Sequence, residues 1–126
     1  MENKLNLMVV DDEPIVGKRL KRLFKKEGYE VEAFTRSASA IMELDKKTFD
    51  IIITDLKMEG VDGLKLLKIA RGKNPSVKVI IITGYGRKSI AKEAINKGAF
   101  DFITKPFKVN DLKQSVRKAE RELRHK

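Results

Sequence analysis

Residues 49–60 read FDIIITDLKMEG. Three isoleucines and a threonine lead into Asp55, so the pattern ends its most buried strand on a carboxylate. A charge is costly beside apolar packing, and such a position usually has a partner or a task. Four further apolar runs flank this one at near-even spacing: LNLMVV (5–10), YEVEAF (29–34), VKVIIIT (77–83) and FDFIT (100–104). The run at 29–34 alternates apolar with charged residues, as an edge or half-exposed strand does.

Helical periodicity fills the intervals. Val16, Leu20, Leu23 and Phe24 share one face, with Pro14 suited to a first helical position and Gly28 to a stop. SASAIMELDKK opens at Ser37. DGLKLLKIARG has Asp62 as its cap and Gly72 as its terminator, and KSIAKEAINKG ends at Gly98. A last stripe of Leu112, Val116, Ala119 and Leu123 starts near Asn110. Five strand–helix repeats predict one α/β domain over residues 1–126, with a five-stranded parallel sheet and right-handed crossovers.

Length and composition agree with that reading. A chain of 126 residues with 41% hydrophobic and 37% charged content fits a single soluble globular domain. No apolar run approaches the roughly 20 residues of a membrane span. No secretory leader is expected, and the lack of cysteine excludes disulfide and thiolate chemistry and fits a cytoplasmic protein. The net charge of +10 concentrates in GKRLKRLFKK (17–26) and in the final VRKAERELRHK. It reads as solvated helix faces or as an attraction for an acidic partner; no nucleic-acid motif accompanies it.

Ligands of open parallel sheets sit beyond the carboxyl ends of the strands. Those ends carry Asp11 and Asp12 on the first strand, Asp55 on the third, Thr83 on the fourth and Lys105, followed by Pro106, on the fifth; the second carries nothing comparable. Strand order 2-1-3-4-5 puts the empty strand at the edge and Asp55 beside the acidic pair, whereas 3-2-1-4-5-6 would separate them. Like charges at about 4 Å cost on the order of 4 kcal/mol per pair at an effective dielectric of 20. Raised pKa values or a bound divalent cation relieve this, and an oxygen-only site suits Mg²⁺ rather than zinc. Lys105 adds a fixed positive charge and Thr83 a hydroxyl. A carboxylate so flanked is built to stabilise incoming negative charge, and carboxylates are known nucleophiles towards phosphorus. Asp55 is therefore expected to be phosphorylated. Taken singly, Asp12 could cap the helix at Pro14, Asp55 could cap a turn, Lys105 could be a snorkelling strand-end lysine and Thr83 could form a turn.

VVDDE, DLKMEGVDG, IIITG and FITKPF together resemble the receiver domain of two-component response regulators, over essentially the whole chain. The resemblance implies a flavodoxin-like, doubly wound fold with five helices. It makes Asp55 the phosphoacceptor. Mg²⁺ would be held by Asp11 (largely through water), Asp12, Asp55 and the backbone carbonyl of Lys57. Lys105 would pair with the phosphoryl group, Thr83 would move towards it, and Phe102 would occupy the family's aromatic position, whose ring turns inward when the threonine moves. The Lys105–Pro106 bond is expected to be cis. A sensor histidine kinase or histidine phosphotransfer protein would be the donor. The fourth helix, fifth strand and fifth helix would form the output face, towards a downstream protein or a linked, DNA-binding output domain, with a homodimer on phosphorylation. This domain itself would touch neither nucleic acid nor membrane, and would promote only its own phosphorylation and dephosphorylation. Departures from the pattern are Glu59 in place of proline and Gly84 in place of alanine. Lys57 and Tyr85 border the route of the attacking water and are expected to tune the lifetime of the phosphoryl group.

Two other classes are open to test. A phosphatase of the haloacid-dehalogenase type carries a second Asp two residues after its nucleophile, where this chain has Lys57. A flavodoxin-like cofactor binder needs Ser, Thr and Gly after the first strand, where DDEP repels phosphate. A stand-alone regulator and the receiver of a longer transcription factor look alike at this level.

Overall fold

The computed structural model describes residues 3–84 and 86–125. Strand and helix alternate throughout: β1 (Asn6–Val10), α1 (Pro14–Lys26), β2 (Glu30–Phe34), α2 (Ser37–Lys46), β3 (Ile51–Asp55), α3 (Gly63–Lys73), β4 (Lys78–Thr83), α4 (Lys88–Asn96), β5 (Asp101–Thr104) and α5 (Val109–Arg124). All neighbouring strands pair in parallel, in the order β2-β1-β3-β4-β5, so the expected topology holds. No helix among the described residues is long and apolar enough to cross a membrane.

The period-2 alternation of the strands divides the interior between the two faces of the sheet. Met8, Val10, Ile52, Val79 and Ile81 point to one side, where Ala40 and Leu44 of α2, Leu66, Leu67 and Ala70 of α3, and Ala94 of α4 meet them. Leu7, Val9, Ile51, Ile53, Ile80 and Ile82 point to the other, against Leu20 and Phe24 of α1 and Leu112, Val116 and Ala119 of α5. Every residue of β3 is buried, which explains its unbroken apolar run; each isoleucine so placed contributes about 1.5–3 kcal/mol. β2 lies at the edge, and only Val31 of its five residues is buried.

Helix ends follow the sequence in most places. Gly28 and Gly98 turn the chain after α1 and α4 with φ of 101° and 105°, where a side chain would be strained. Asp62 caps α3, accepting a hydrogen bond from the Lys65 N–H at 2.9 Å. Gly72 does not end α3, however. The helix continues through Lys73 to a C-cap at Asn74, whose N–H donates to the Ala70 carbonyl, so Gly72 is an exposed interior position without a turn to make. α5 begins at Val109, one residue before the expected start.

Gly63 ties α3 to the end of β3. Its N–H donates to the Leu56 carbonyl at 2.7 Å, and a Cβ there would lie 2.4 Å from the Asp55 carbonyl oxygen and 3.0 Å from Leu56 Cα. Both neighbours are backbone and cannot swing aside. At the opposite end of the sheet, the Tyr29 hydroxyl donates to Glu120 at 2.6 Å, and Arg124 donates to the other Glu120 oxygen at 2.8 Å and to the Asn3 carbonyl at 3.0 Å. Burial works to raise the Glu120 carboxyl, but the Tyr29 and Arg124 hydrogen bonds outweigh it and hold the group below its ordinary 4.5.

Gly63→Ala should destabilise the domain by about 1–3 kcal/mol, the range of overpacked sites, as urea unfolding would register. Tyr29→Phe should cost about 1 kcal/mol near neutral pH, lowering the melting point by about 4 °C. Because the folded-state pKa of Glu120 is depressed, its contribution is present above the unfolded value and is lost as pH falls through the folded one. The difference between Tyr29→Phe and the parent in thermal melts should therefore shrink as the buffer is taken below pH 4.5.

Candidate functional site

The register of the sheet brings the polar strand ends level. Val10 pairs with Thr54, Asp55 with Ile82, and Thr83 with Thr104, so the residues that follow β1 and β5 flank Asp55 and Thr83. Asp11 is fully buried, Asp55 is 8% exposed and Asp12 is exposed. One carboxylate oxygen from each of the three lies within 4.8 Å of the others.

Lys105 supplies the countercharge. Its ammonium is 3.0 Å from Asp11 Oδ2, 3.2 Å from Asp55 Oδ2 and 3.8 Å from Glu13 Oε1. The backbone holds it there, since the Lys105 N–H donates to the Thr83 carbonyl at 2.7 Å; the Lys105–Pro106 peptide is cis, as expected. Asp11 is fixed from both ends: Oδ2 faces Lys105, and Oδ1 accepts the Glu13 N–H at 2.9 Å. Asp12 does not cap α1. The N-cap is Glu13, without a side-chain hydrogen bond, and Pro14 follows at the first helical position.

The electrostatics of Asp55 are set by burial first. Desolvation pushes its carboxyl above the ordinary range, Lys105 pulls it back by charge and hydrogen bond, and the charge of Asp11 adds to the rise. The net direction is upward even with the ammonium at 3.2 Å, and three carboxylates share that one ammonium. Burial alone would lower the Lys105 pKa, but the hydrogen bond to Asp11 and the charges of Asp11 and Asp55 raise it overall, so the ammonium stays charged. A second positive charge is what this arrangement lacks. The donors are all oxygens and one is exposed, which fits a small hard cation that keeps part of its water shell.

Around this centre, Thr83 is fully buried at the end of β4, one residue past the register partner of Asp55. Phe102 is half-buried on β5 and packs against the cluster formed with α2, α3 and α4. Lys57 is exposed in the segment joining β3 to α3. Tyr85 lies outside the described residues. Sequence reading passed over two participants. Glu13 brings a fourth carboxylate near Lys105 and was legible as the third acid of VVDDE. Ser37, 3% exposed, donates to the Glu59 carbonyl at 3.4 Å and accepts the Val61 N–H at 3.2 Å; nothing in the sequence near residue 37 points to that segment.

Comparison with known proteins agrees with this geometry. Residues 7–117 match the family described as response regulator receiver domain. The chain is 34% identical over 116 residues to the chemotaxis protein CheY of Listeria monocytogenes, covering 91% of this chain and 98% of that protein. It is 34% identical over 119 residues to the C4-dicarboxylate transport transcriptional regulatory protein DctD of Rhizobium meliloti, covering 94% of this chain but only 26% of DctD. Thus the chain spans about a quarter of the length of that regulator. Among solved structures, the beryllofluoride-activated NtrC4 receiver domain dimer superposes with a TM-score of 0.87 at 31% identity, covering 93% of this chain and 97% of that one. By family, fold and the placement of its strand-end carboxylates, the chain belongs to the receiver domains of two-component response regulators.

Proposed function

We propose that Asp55 is the phosphoacceptor of this receiver domain and that Asp11, Asp12, Asp55 and the Lys57 backbone carbonyl hold the Mg²⁺ on which the transfer depends. The observation that carries the proposal is the single ammonium of Lys105 shared between Asp11 and Asp55 among three convergent carboxylates. When bound, the cation offsets negative charge on the carboxylates and on the arriving phosphoryl oxygens.

The chain's own residues supply position and charge. An oxygen of Asp55 attacks phosphorus of a phosphohistidine; an O–P bond forms, the N–P bond breaks, and the electron pair leaves with the donor imidazole. Lys105 then exchanges its contact with Asp55 for one with a phosphoryl oxygen, while its backbone tie to Thr83 keeps it at the site. Thr83 donates its hydroxyl to another phosphoryl oxygen, and Phe102 repacks beside it. Hydrolysis returns the carboxylate, at a rate tuned by Lys57 and Tyr85. The protein acts on its own phosphoryl group and turns over no other substrate.

The donor is a sensor histidine kinase or histidine phosphotransfer protein of the cytoplasm. α1 starts at the rim of the site and carries Lys18, Arg19, Lys21, Arg22, Lys25 and Lys26, none of which forms an ion pair among the described residues. Lys18, Arg19, Arg22 and Lys26 line one groove with the apolar Ile15 and Leu23, a surface suited to an acidic donor. Output passes through α4, β5 and α5 to a separate protein or to a linked DNA-binding domain, in keeping with longer relatives named as transcriptional regulators, and dimerisation through that face accompanies phosphorylation.

Asp55→Asn should abolish labelling by a phosphorylated kinase or by phosphoramidate. Because burial disfavours the ionised Asp55, the same variant should melt no lower than the parent in Mg²⁺-free buffer at neutral pH, and Mg²⁺ should raise its melting point less. Residual labelling of Asp55→Asn at the parental rate would refute the assignment. Reversing the charges of Lys18, Arg19 and Lys21 should slow transfer from the kinase by at least about tenfold, as buried or steered charge pairs do, and leave labelling by phosphoramidate unchanged. Equal slowing with both donors would show that α1 does not select the partner.

A further inference from the structure

The cation site depends on a segment that its own sequence does not stiffen. Residues 56–62 read LKMEGVD; they contain no proline and include Gly60, which adopts φ of 85° in the left-handed region. At the base of the segment the Gly63 N–H meets the Leu56 carbonyl at 2.7 Å, and the Thr54 hydroxyl lies 3.9 Å from the Met58 sulfur. The tip, Glu59–Val61, is reached from α2. Ser37 Oγ accepts the Val61 N–H at 3.2 Å and donates to the Glu59 carbonyl at 3.4 Å, with Gly60 turning around it. A Cβ on Gly60 would lie 3.4 Å from the same oxygen.

The usual local task of a serine near a helix start is to cap it. Ser37 does not. It stands one position inside α2, the N-cap is Arg36, and that cap has no side-chain hydrogen bond. The hydroxyl is instead 3% exposed and turned to a segment more than twenty positions away in sequence. A hydroxyl is suited to the place because one oxygen can accept from an N–H and donate to a C=O together. The donated bond is long, so the clasp holds the tip without locking it.

We propose that Ser37 is a positioning residue of the phosphorylation site: by clasping Glu59–Val61 it sets the backbone two residues earlier, where the Lys57 carbonyl would help hold the cation. The proposal rests on the Mg²⁺-dependent reading of Asp55 given above. Ordering this segment in advance removes an entropic cost that cation binding would otherwise have to meet.

The test is Mg²⁺ titration of ¹⁵N-labelled protein, followed by the amide shifts of residues 57–61, together with thermal melts in Mg²⁺-free buffer. Ser37→Ala keeps helix propensity and removes only the oxygen. It should raise the Mg²⁺ dissociation constant about fivefold, the equivalent of one net hydrogen bond, and speed hydrogen exchange at the Val61 amide. Ser37→Thr, which retains the hydroxyl, should remain within about twofold of the parent. A merely structural serine would lower the melting point of Ser37→Ala and leave its Mg²⁺ affinity at the parental value, which overturns the proposal. Equal weakening in Ser37→Ala and Ser37→Thr also overturns it, because the hydroxyl would then not be the cause. A parent protein that binds no Mg²⁺ at all would remove the reading of Asp55 and this proposal together.

Discussion

One ammonium serves two buried carboxylates, and the rest of the molecule can be understood as the means of keeping it there. Lys105 cannot drift from Asp11 and Asp55, because its N–H is bound to the end of β4 and its side chain enters a space walled by three strand ends. Asp11 cannot turn away, since its second oxygen takes the Glu13 N–H just before α1 begins. The result is a fixed but incomplete balance of charge. Desolvation still pushes Asp55 upward although the ammonium is close, a balance that fits the cation and phosphoryl group proposed for the site.

The parallel sheet makes this arrangement possible in a way a salt bridge on a surface would not. Adjacent strands end at one level, so residues 11, 55, 83 and 105 meet although they lie far apart along the chain. The apolar side chains behind them fill both faces of the sheet and leave the strand ends little freedom. Gly63 extends the same logic to the helix that follows: α3 comes so close to the Asp55 carbonyl that any side chain there would move the strand end itself.

Much of this was legible in the sequence because the signals were local and repeated. Five apolar runs marked the strands, and the polar residues at the ends of four of them favoured the strand order that the sheet adopts, with Asp11, Asp12 and Asp55 brought together. Features that depend on distant parts of the chain were not legible. Gly72 looked like a helix terminator because glycine is a good one, but α3 runs one further residue to Lys73 and is closed by the Asn74 N–H on the Ala70 carbonyl. Ser37 looked like an ordinary helix opener, and only the folded chain brings it to Glu59 and Val61. Asp12 had the spacing of a cap, but Glu13 is the N-cap and Pro14 the first residue of α1, and the Asp12 carboxylate stays exposed in the cluster with Asp11 and Asp55.

The charge of the whole protein and the charge of its site have opposite signs, and the difference separates two functions by distance. The formal net charge is +10, whereas Asp11, Asp12, Asp55 and Glu13 against Lys105 leave the centre strongly negative. At physiological ionic strength charges on the surface are screened over about 8 Å. A partner approaching α1 therefore meets Lys18, Arg19 and Arg22 before it meets the carboxylates. In the proposed transfer, the phosphoryl group of that partner would meet the reverse, several carboxylates that Lys105 alone does not offset. On the proposed phosphotransfer, attraction at the rim and repulsion at the centre would together favour a large donor that docks through an acidic surface, and would make bound cation a condition for the step after docking. On that reading, selectivity would reside in α1 and the chemistry in the strand ends that carry Asp11, Asp55, Thr83 and Lys105.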